Sequence, residues 1–181
     1  MGIKNTAKKN GFLARALRNF FEHRALWLYF LFDEARKTGI KPESFIAPAI
    51  RRCGLYHGMR ALTGKDAAVQ TADGQGGSCR LLQKKLFPPV GKVIFEMQFL
   101  KLDDDSFDVD FHYCPLVNAW KKQGCTDAEI DQLCDWAMEG DRGIADAFGC
   151  ELELAKTIAK GDDVCQLRFK RKKPCCQPCC Q

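Results

Sequence analysis

The segment Phe111-His112-Tyr113-Cys114-Pro115 sets an imidazole two residues from a thiol, just where a proline interrupts an extended run. Phe107, Val109, Phe111 and Tyr113 alternate with Asp108, Asp110, His112 and Cys114. A strand here places the second set together on the face opposite the apolar one. Imidazole beside a thiol lowers the thiol pKa and makes it a nucleophile. The plainer reading makes Asp108, Asp110 and His112 a solvated sheet face and Cys114 a small buried filler. Farther along, Cys134 and Asp135 fall in a helical segment, and Asp141, seven residues past Cys134, returns to nearly the same helical face. Asp135, followed by Trp136, is either a general base whose pKa desolvation raises or an ordinary carboxylate at the solvent boundary.

Eleven cysteines invite a disulfide reading, but the count is odd and no export signal precedes them, so reduced thiols are expected. Cys165 shares a face with Leu167 and Phe169 and reads as core packing. Cys53, Cys79, Cys125 and Cys150 have no partner at close-ligand spacing and read as structural. The tail differs: Cys175, Cys176, Cys179 and Cys180 set four thiols within six residues, a composition that suits Zn²⁺ or another soft metal. Against that, a complete four-thiolate site draws its pairs from two separated turns, so adventitious binding or oxidation is an equal reading.

The elements that must position these residues follow from periodicity. Leu13, Leu17, Phe20, Phe21, Trp27, Phe30 and Leu31 recur at helical spacing between Gly11 and Lys37, and Gly39 ends that helix. Pro42 and Ser44 open a second helix, in which Gly54 and Gly58 permit close backbone approach. A weaker element covers Lys65 to Val69, and Gly74 to Ser78 reads as a loop. From Lys92 the period becomes two: Val93, Phe95, Met97 and Phe99 form one strand, Asp103-Asp104-Asp105 a turn, and Phe107 to Tyr113 a second strand. A short helix over Leu116 to Lys122 follows. Thr126 and Glu129 then make a capping box for a helix with Ile130, Leu133, Cys134 and Ala137 inward, and Gly140 and Gly143 suggest a bend around Asp141 and Arg142. Glu151 to Ile158 and Val164 to Lys170 form a second hairpin around Lys160 to Asp163.

These elements predict an α+β fold, a four-stranded antiparallel sheet of two hairpins packed on one face by helices. One domain over 1–172 is expected, with helices in 11–70 and 116–148, hairpins in 92–114 and 150–171, and a cysteine-rich tail over 173–181. The net charge of +5 comes from Arg168, Lys170, Arg171, Lys172 and Lys173, with the remainder near neutral. That is a solvated basic run rather than a nucleic-acid surface. The longest apolar run, Ala25 to Phe32, is too short to span a bilayer, and the match of Gly2 and Thr6 to a myristoylation pattern is one that chance supplies. A cytoplasmic protein is expected, with no nucleic-acid or membrane partner. The richness of Ala25 to Phe32 suggests a helix-mediated homodimer.

Several segments together resemble the L-2-amino-thiazoline-4-carboxylic acid hydrolase family of small bacterial proteins. They are His23-Arg24-Ala25-Leu26-Trp27-Leu28-Tyr29, Arg51-Arg52-Cys53-Gly54-Leu55-Tyr56-His57-Gly58, Phe111 to Val117, Leu133 to Arg142, and Thr157 to Cys165. The four-cysteine tail departs from the family pattern. The resemblance implies hydrolysis of a C–N bond in a cyclic amidine, a small-molecule substrate opened toward cysteine. It implies Cys114 as nucleophile, His112 or Asp135 as proton handler, and Arg142 with Asp141 at the substrate, a guanidinium fork suiting the carboxylate. A metal-dependent scheme uses His112, Cys114 and Cys134 as Zn²⁺ ligands instead. Outside this family reading, a metal- or thiol-responsive binding protein acting through the tail, or a non-catalytic ligand-binding domain, also fits the residues.

Overall fold

The N-terminal apolar spacing is realised as one long helix, α1 (Phe12–Thr38), in the computed structural model, which describes residues 2–64 and 77–172. Gly39 closes it at φ 73°, the left-handed conformation that glycine adopts without penalty. A 3-10 turn over Pro42–Ser44 leads into α2 (Ile46–Thr63). Ser78 caps α3 (Cys79–Leu86) by accepting the Leu81 N–H at 3.2 Å, and a single turn, α4 (Gly91–Ile94), precedes the sheet. The strands are β1 (Met97–Leu102), β2 (Ser106–Phe111), β3 (Cys150–Leu154) and β4 (Cys165–Arg171). Between the two hairpins lie α5 (Pro115–Lys122) and α6 (Asp127–Ala147).

The sheet is antiparallel throughout, in the order β1-β2-β4-β3, so the two hairpins meet along β2 and β4. Its inner face carries Phe107, Val109, Leu167 and Phe169, all fully buried. Phe107 and Phe169 are cross-strand partners and stack at 5.8 Å, while Phe87 sets its edge against both. The outer face is polar and self-satisfying: Arg168 donates to Asp110 at 2.7 Å and to the Val109 carbonyl. The α+β architecture expected from the hairpins is therefore present, and one contiguous core draws on residues from Ile3 to Phe169.

Four local expectations are corrected. Helix α3 was not anticipated, because an eight-residue segment shows too few turns for a clear period. Val93 and Phe95 do not extend β1: a helical turn occupies Gly91–Ile94, and Glu96, at φ 52°, reverses the chain before Met97. The second hairpin is shorter than its alternation suggests, with Ile158–Lys160 forming a 3-10 turn. Helix α6 runs unbroken through Gly140 and Gly143, where a bend was expected. The segment Lys65 to Val69, the loop through Gly76 and the tail 173–181 lie outside the described residues.

The glycines of α6 serve contact instead of curvature. A Cβ on Gly54 of α2 would collide with the Gly140 carbonyl and lie 2.8 Å from the Gly140 Cα, and one on Gly143 would lie 2.8 Å from the Leu55 nitrogen. Gly58 of α2 packs against Ala147 and Ile144 in the same seam. The two helices touch backbone to backbone, so any side chain in the seam forces them apart. Gly54→Ala should therefore cost about 3 kcal/mol or more, against the usual gain of Ala over Gly in a helix. Gly140→Ala, whose Cβ would meet only Ile50 Cγ2 at an ordinary 3.5 Å, should be tolerated. Urea unfolding of both variants measures the contrast.

Candidate active site

Cys114 stands where β2 hands over to α5. The strand ends at Phe111, and Tyr113 and Cys114 both turn inward, so the alternation that paired His112 with Cys114 stops before it reaches the thiol. Cys114 is the N-cap residue of α5 and Pro115 its first helical residue, which suits a proline whose missing N–H would go unused there. Asn5, from the N-terminal segment, grips the cysteine's backbone on both sides: its amide donates to the Cys114 carbonyl at 2.8 Å, and it accepts the Cys114 N–H at 2.9 Å. The fold thus fixes the thiol at a helix start without using its sulfur for the cap.

Cys114 is only 9% exposed, and burial pushes its thiol pKa up. The backbone amides of Val117 and Leu116 and the Arg24 guanidinium oppose that rise, while Asp141 adds to it. Two other buried thiols share the surroundings. Cys134, on α6, is raised first by burial and then by Cys114 and Cys165; Cys165, at the head of β4, is pushed up to about 12 by burial and by Cys114, with the Ile158 N–H donating to its sulfur at 3.3 Å. Of the three, Cys114 has both a helix start and a guanidinium favouring its thiolate.

Asp141 is the titratable carboxyl of this region. Burial raises its pKa from 3.8 to about 6, against the lowering pull of Arg24 and Arg142. Part of the residue's surface is still open, so the group can exchange protons with solvent. Arg24 makes no ion pair among the described residues and lies 5.4 Å over the Phe21 ring, which leaves its fork available for an anion. A polar cleft of about 410 Å³ opens on the Asn5 side of Cys114, lined by Asn5, Arg18, Glu22, Tyr113, Asn118 and Lys122 among others.

The structure brings Cys114, Cys134 and Asp141 into one electrostatic neighbourhood, on which Arg142 also acts, and leaves His112 outside it. His112 engages Gln98 Oε1 at 3.2 Å on the outer side of the sheet. Asp135 is largely exposed and pairs with Arg142 at 2.8 Å, which corrects the reading of an aspartate in apolar surroundings. Arg142 is further held by Glu139 at 2.6 Å, so its fork is already engaged. Among the described residues no three His, Cys, Asp or Glu side chains converge as a metal site, so the ligand set His112, Cys114 and Cys134 is not assembled. Cys175, Cys176, Cys179 and Cys180 lie outside the described residues. Sequence reasoning missed Asn5, which acts from 109 positions away, and Arg24, an exposed helix residue with no local signal.

The raised Asp141 pKa has a stability consequence with a definite sign. Because the folded group binds its proton more tightly than the unfolded one, its contribution to stability is full below pH 3.8 and is lost as pH rises through about 6. Asp141→Asn should therefore be more stable than the parent at pH 8, by about 2 kcal/mol, with the difference vanishing below pH 4. Denaturant unfolding at several pH values reads this directly.

Three comparisons bear on the chain's relationships. It is similar in fold to a trafficking protein particle complex subunit 3 from Naegleria fowleri, solved covalently bound to palmitic acid. The TM-score is 0.49 and the identity 15%, over 84% of this chain and 95% of that one. No curated protein matches the sequence. The family model described as L-2-amino-thiazoline-4-carboxylic acid hydrolase matches residues 18–169, which include Arg24, Cys114, Cys134, Asp141 and Cys165. With most of its length accounted for in this way, the chain belongs to the L-2-amino-thiazoline-4-carboxylic acid hydrolase family.

Proposed function

We propose that this protein hydrolyses a small cyclic amidine bearing a carboxylate, opening a thiazoline-type ring at the amidine carbon toward cysteine, with Cys114 as the attacking group. The observation that carries the reading is the placement of a buried thiol at the start of α5, within the field of one free guanidinium, Arg24, and one carboxyl, Asp141, whose pKa lies near neutrality. Burial keeps the Cys114 thiol protonated at rest, so attack requires a proton acceptor, and a carboxylate raised to about 6 is a better base than an ordinary one.

The chemistry balances on these groups. The Cys114 sulfur adds to the amidine carbon as its proton passes to the Asp141 carboxylate, and the C=N electron pair moves onto nitrogen. The protonated Asp141 returns that proton to the ring sulfur as its bond to carbon breaks and the C=N bond re-forms; a departing ring nitrogen would take a second proton from the exocyclic amine, which then becomes the C=N nitrogen. Water then attacks the thioester-like intermediate, giving up its proton to Asp141, and regenerates the thiol. Arg24 supplies a fork for the substrate carboxylate, a role that Arg142 is less free to take. The polar cleft beside Asn5 and Tyr113 offers an approach to the Cys114 backbone.

Incubation with 2-aminothiazoline-4-carboxylate and related cyclic amidines, monitored for free thiol or amine and for the ring-opened carbamoyl product, tests the reading. Release is expected from the parent protein, none from Cys114→Ala, and about 10²- to 10⁴-fold less from Asp141→Asn. The parent rate should fall as pH drops below about 6, where Asp141 becomes protonated. Full activity in folded Cys114→Ala would remove the sulfur from the mechanism. Binding of the amidine without turnover would make this a ligand-binding domain.

A further inference from the structure

Helix α1 presents an apolar face that the other described residues leave uncovered. Leu13 is 65% exposed, Phe20 74%, Trp27 64%, Phe30 52% and Leu31 52%, whereas the adjoining face, about a quarter turn round the helix through Ala14, Ala25, Leu28, Phe32 and Ala35, is buried. With half-buried Leu17 and exposed Arg24, the sequence Leu13, Leu17, Phe20, Arg24, Trp27, Leu31 repeats at alternating steps of four and three, the seam of a coiled coil. Nothing in the chain's own core needs that second stripe, since a single buried face already anchors the helix.

The seam is also a palindrome. Leu13 and Leu31, Leu17 and Trp27, and Phe20 and Arg24 are each symmetric about the level of Glu22. Two copies of α1 laid antiparallel would therefore match leucine with leucine at both ends, leucine with tryptophan in between, and Phe20 with the Arg24 of the second copy, twice, near the axis. This is the self-complementarity that a two-fold interface requires. Charge selects the direction: a parallel pair would set the one cation of the seam, Arg24, against its own copy, whereas the antiparallel pair packs the Arg24 stem against Phe20 of the second copy and leaves its guanidinium at the seam's edge, on the side of Cys114 and Asp141.

The area is sufficient as well. The exposed parts of Leu13, Phe20, Trp27, Phe30 and Leu31 amount to roughly 600 Å² per copy, taking aromatic side chains at about 200 Å² each. With Leu17, Phe12 and Arg24 added, this reaches the range of about 800 Å² per partner typical of a specific interface. We infer that the occupant of this face is a second copy of the chain, joined through antiparallel α1 helices about a two-fold axis at the level of Glu22.

The test is the solution mass of the full chain in reducing buffer at micromolar concentration, read by light scattering after size exclusion. A dimer of about twice 20.4 kDa is expected. Phe20→Glu and Trp27→Glu should each shift it to monomer while leaving the circular dichroism and the melting transition of the fold in place. Direction is read in the Leu13→Cys/Leu31→Cys double variant, prepared as a mixture of ordinary and nitrogen-15-labelled protein and mildly oxidised. Peptide mapping should find position 13 of one isotope joined to position 31 of the other. A monomeric parent overturns the proposal, and so does a dimer that survives both glutamate variants. Links between two copies of position 31 would show parallel helices and overturn it too. A parent that stays monomeric and instead binds anionic phospholipid vesicles through Phe20 and Trp27 would assign the face to a membrane surface.

Discussion

The buried guanidinium of Arg18 is the tie on which the arrangement around Cys114 depends. Its Nε donates to the Ile94 carbonyl, one terminal nitrogen to the Lys9 carbonyl and Asn10 Oδ1, the other to the Val93 carbonyl and Glu96 Oε1. Its plane lies 4.2 Å over the Tyr113 ring. Few side chains other than arginine offer enough donors in a fixed fork to satisfy so many acceptors at once. Through it, α1 is joined to the N-terminal segment, to the end of α4, to the reversed backbone at Glu96 and to the residue preceding Cys114. Glu96 also accepts the Lys9 N–H at 2.8 Å, so the ion pair is fully hydrogen-bonded, the condition under which a buried charge pair is tolerated.

That tie explains why the N-terminal segment can hold Cys114 without regular secondary structure. Residues before α1 have no helix or strand to join, yet Ile3 is buried, its carbonyl accepts from Lys121, and Asn5 satisfies both backbone groups of Cys114. The Cys114 carbonyl takes the first hydrogen bond of α5, from the Asn118 N–H at 3.2 Å, whereas its own N–H belongs to neither strand nor helix; the Asn5 amide accepts that N–H and adds a second donor to the carbonyl.

A second constraint, the glycine seam between α2 and α6, sets the other wall. With Gly54, Gly58 and Gly143 in contact with opposing backbone, α6 is pinned along its C-terminal half. Asp141, next to Gly140 on the pinned helix, then lies within the field of Cys114, Arg24 and Arg142. The electrostatics of the site follow from this. Desolvation raises all three thiols and the carboxyl, and the helix start at α5 and Arg24 return part of that cost at Cys114 alone. A thiol and a carboxyl that burial holds toward their protonated forms have the poise that acid–base chemistry near neutral pH uses.

The order of elements, the antiparallel hairpins, the capping box at Thr126 and Glu129 and the close approach of Gly54 and Gly58 were legible in the sequence, because each rests on spacing within one segment. So was the place of Cys114 where the strand gives way to a helix, though the expected histidine on the same strand face did not survive: alternation holds only while the strand lasts, and the chain turns inward after Phe111. Asp141 was legible as a helical neighbour of Cys134, but its distinction from Asp135 was not, since burial decides which carboxyl has a raised pKa and burial is a property of the packed helix. Likewise, Gly140 and Gly143 read as a break because a lone helix is weakened by glycine, whereas a helix against another backbone needs it. Asn5, Arg18 and Arg24 became meaningful only in three dimensions. Their partners lie far along the chain, and a hydrogen bond or a charge acts through distance in space, which the order of residues does not record.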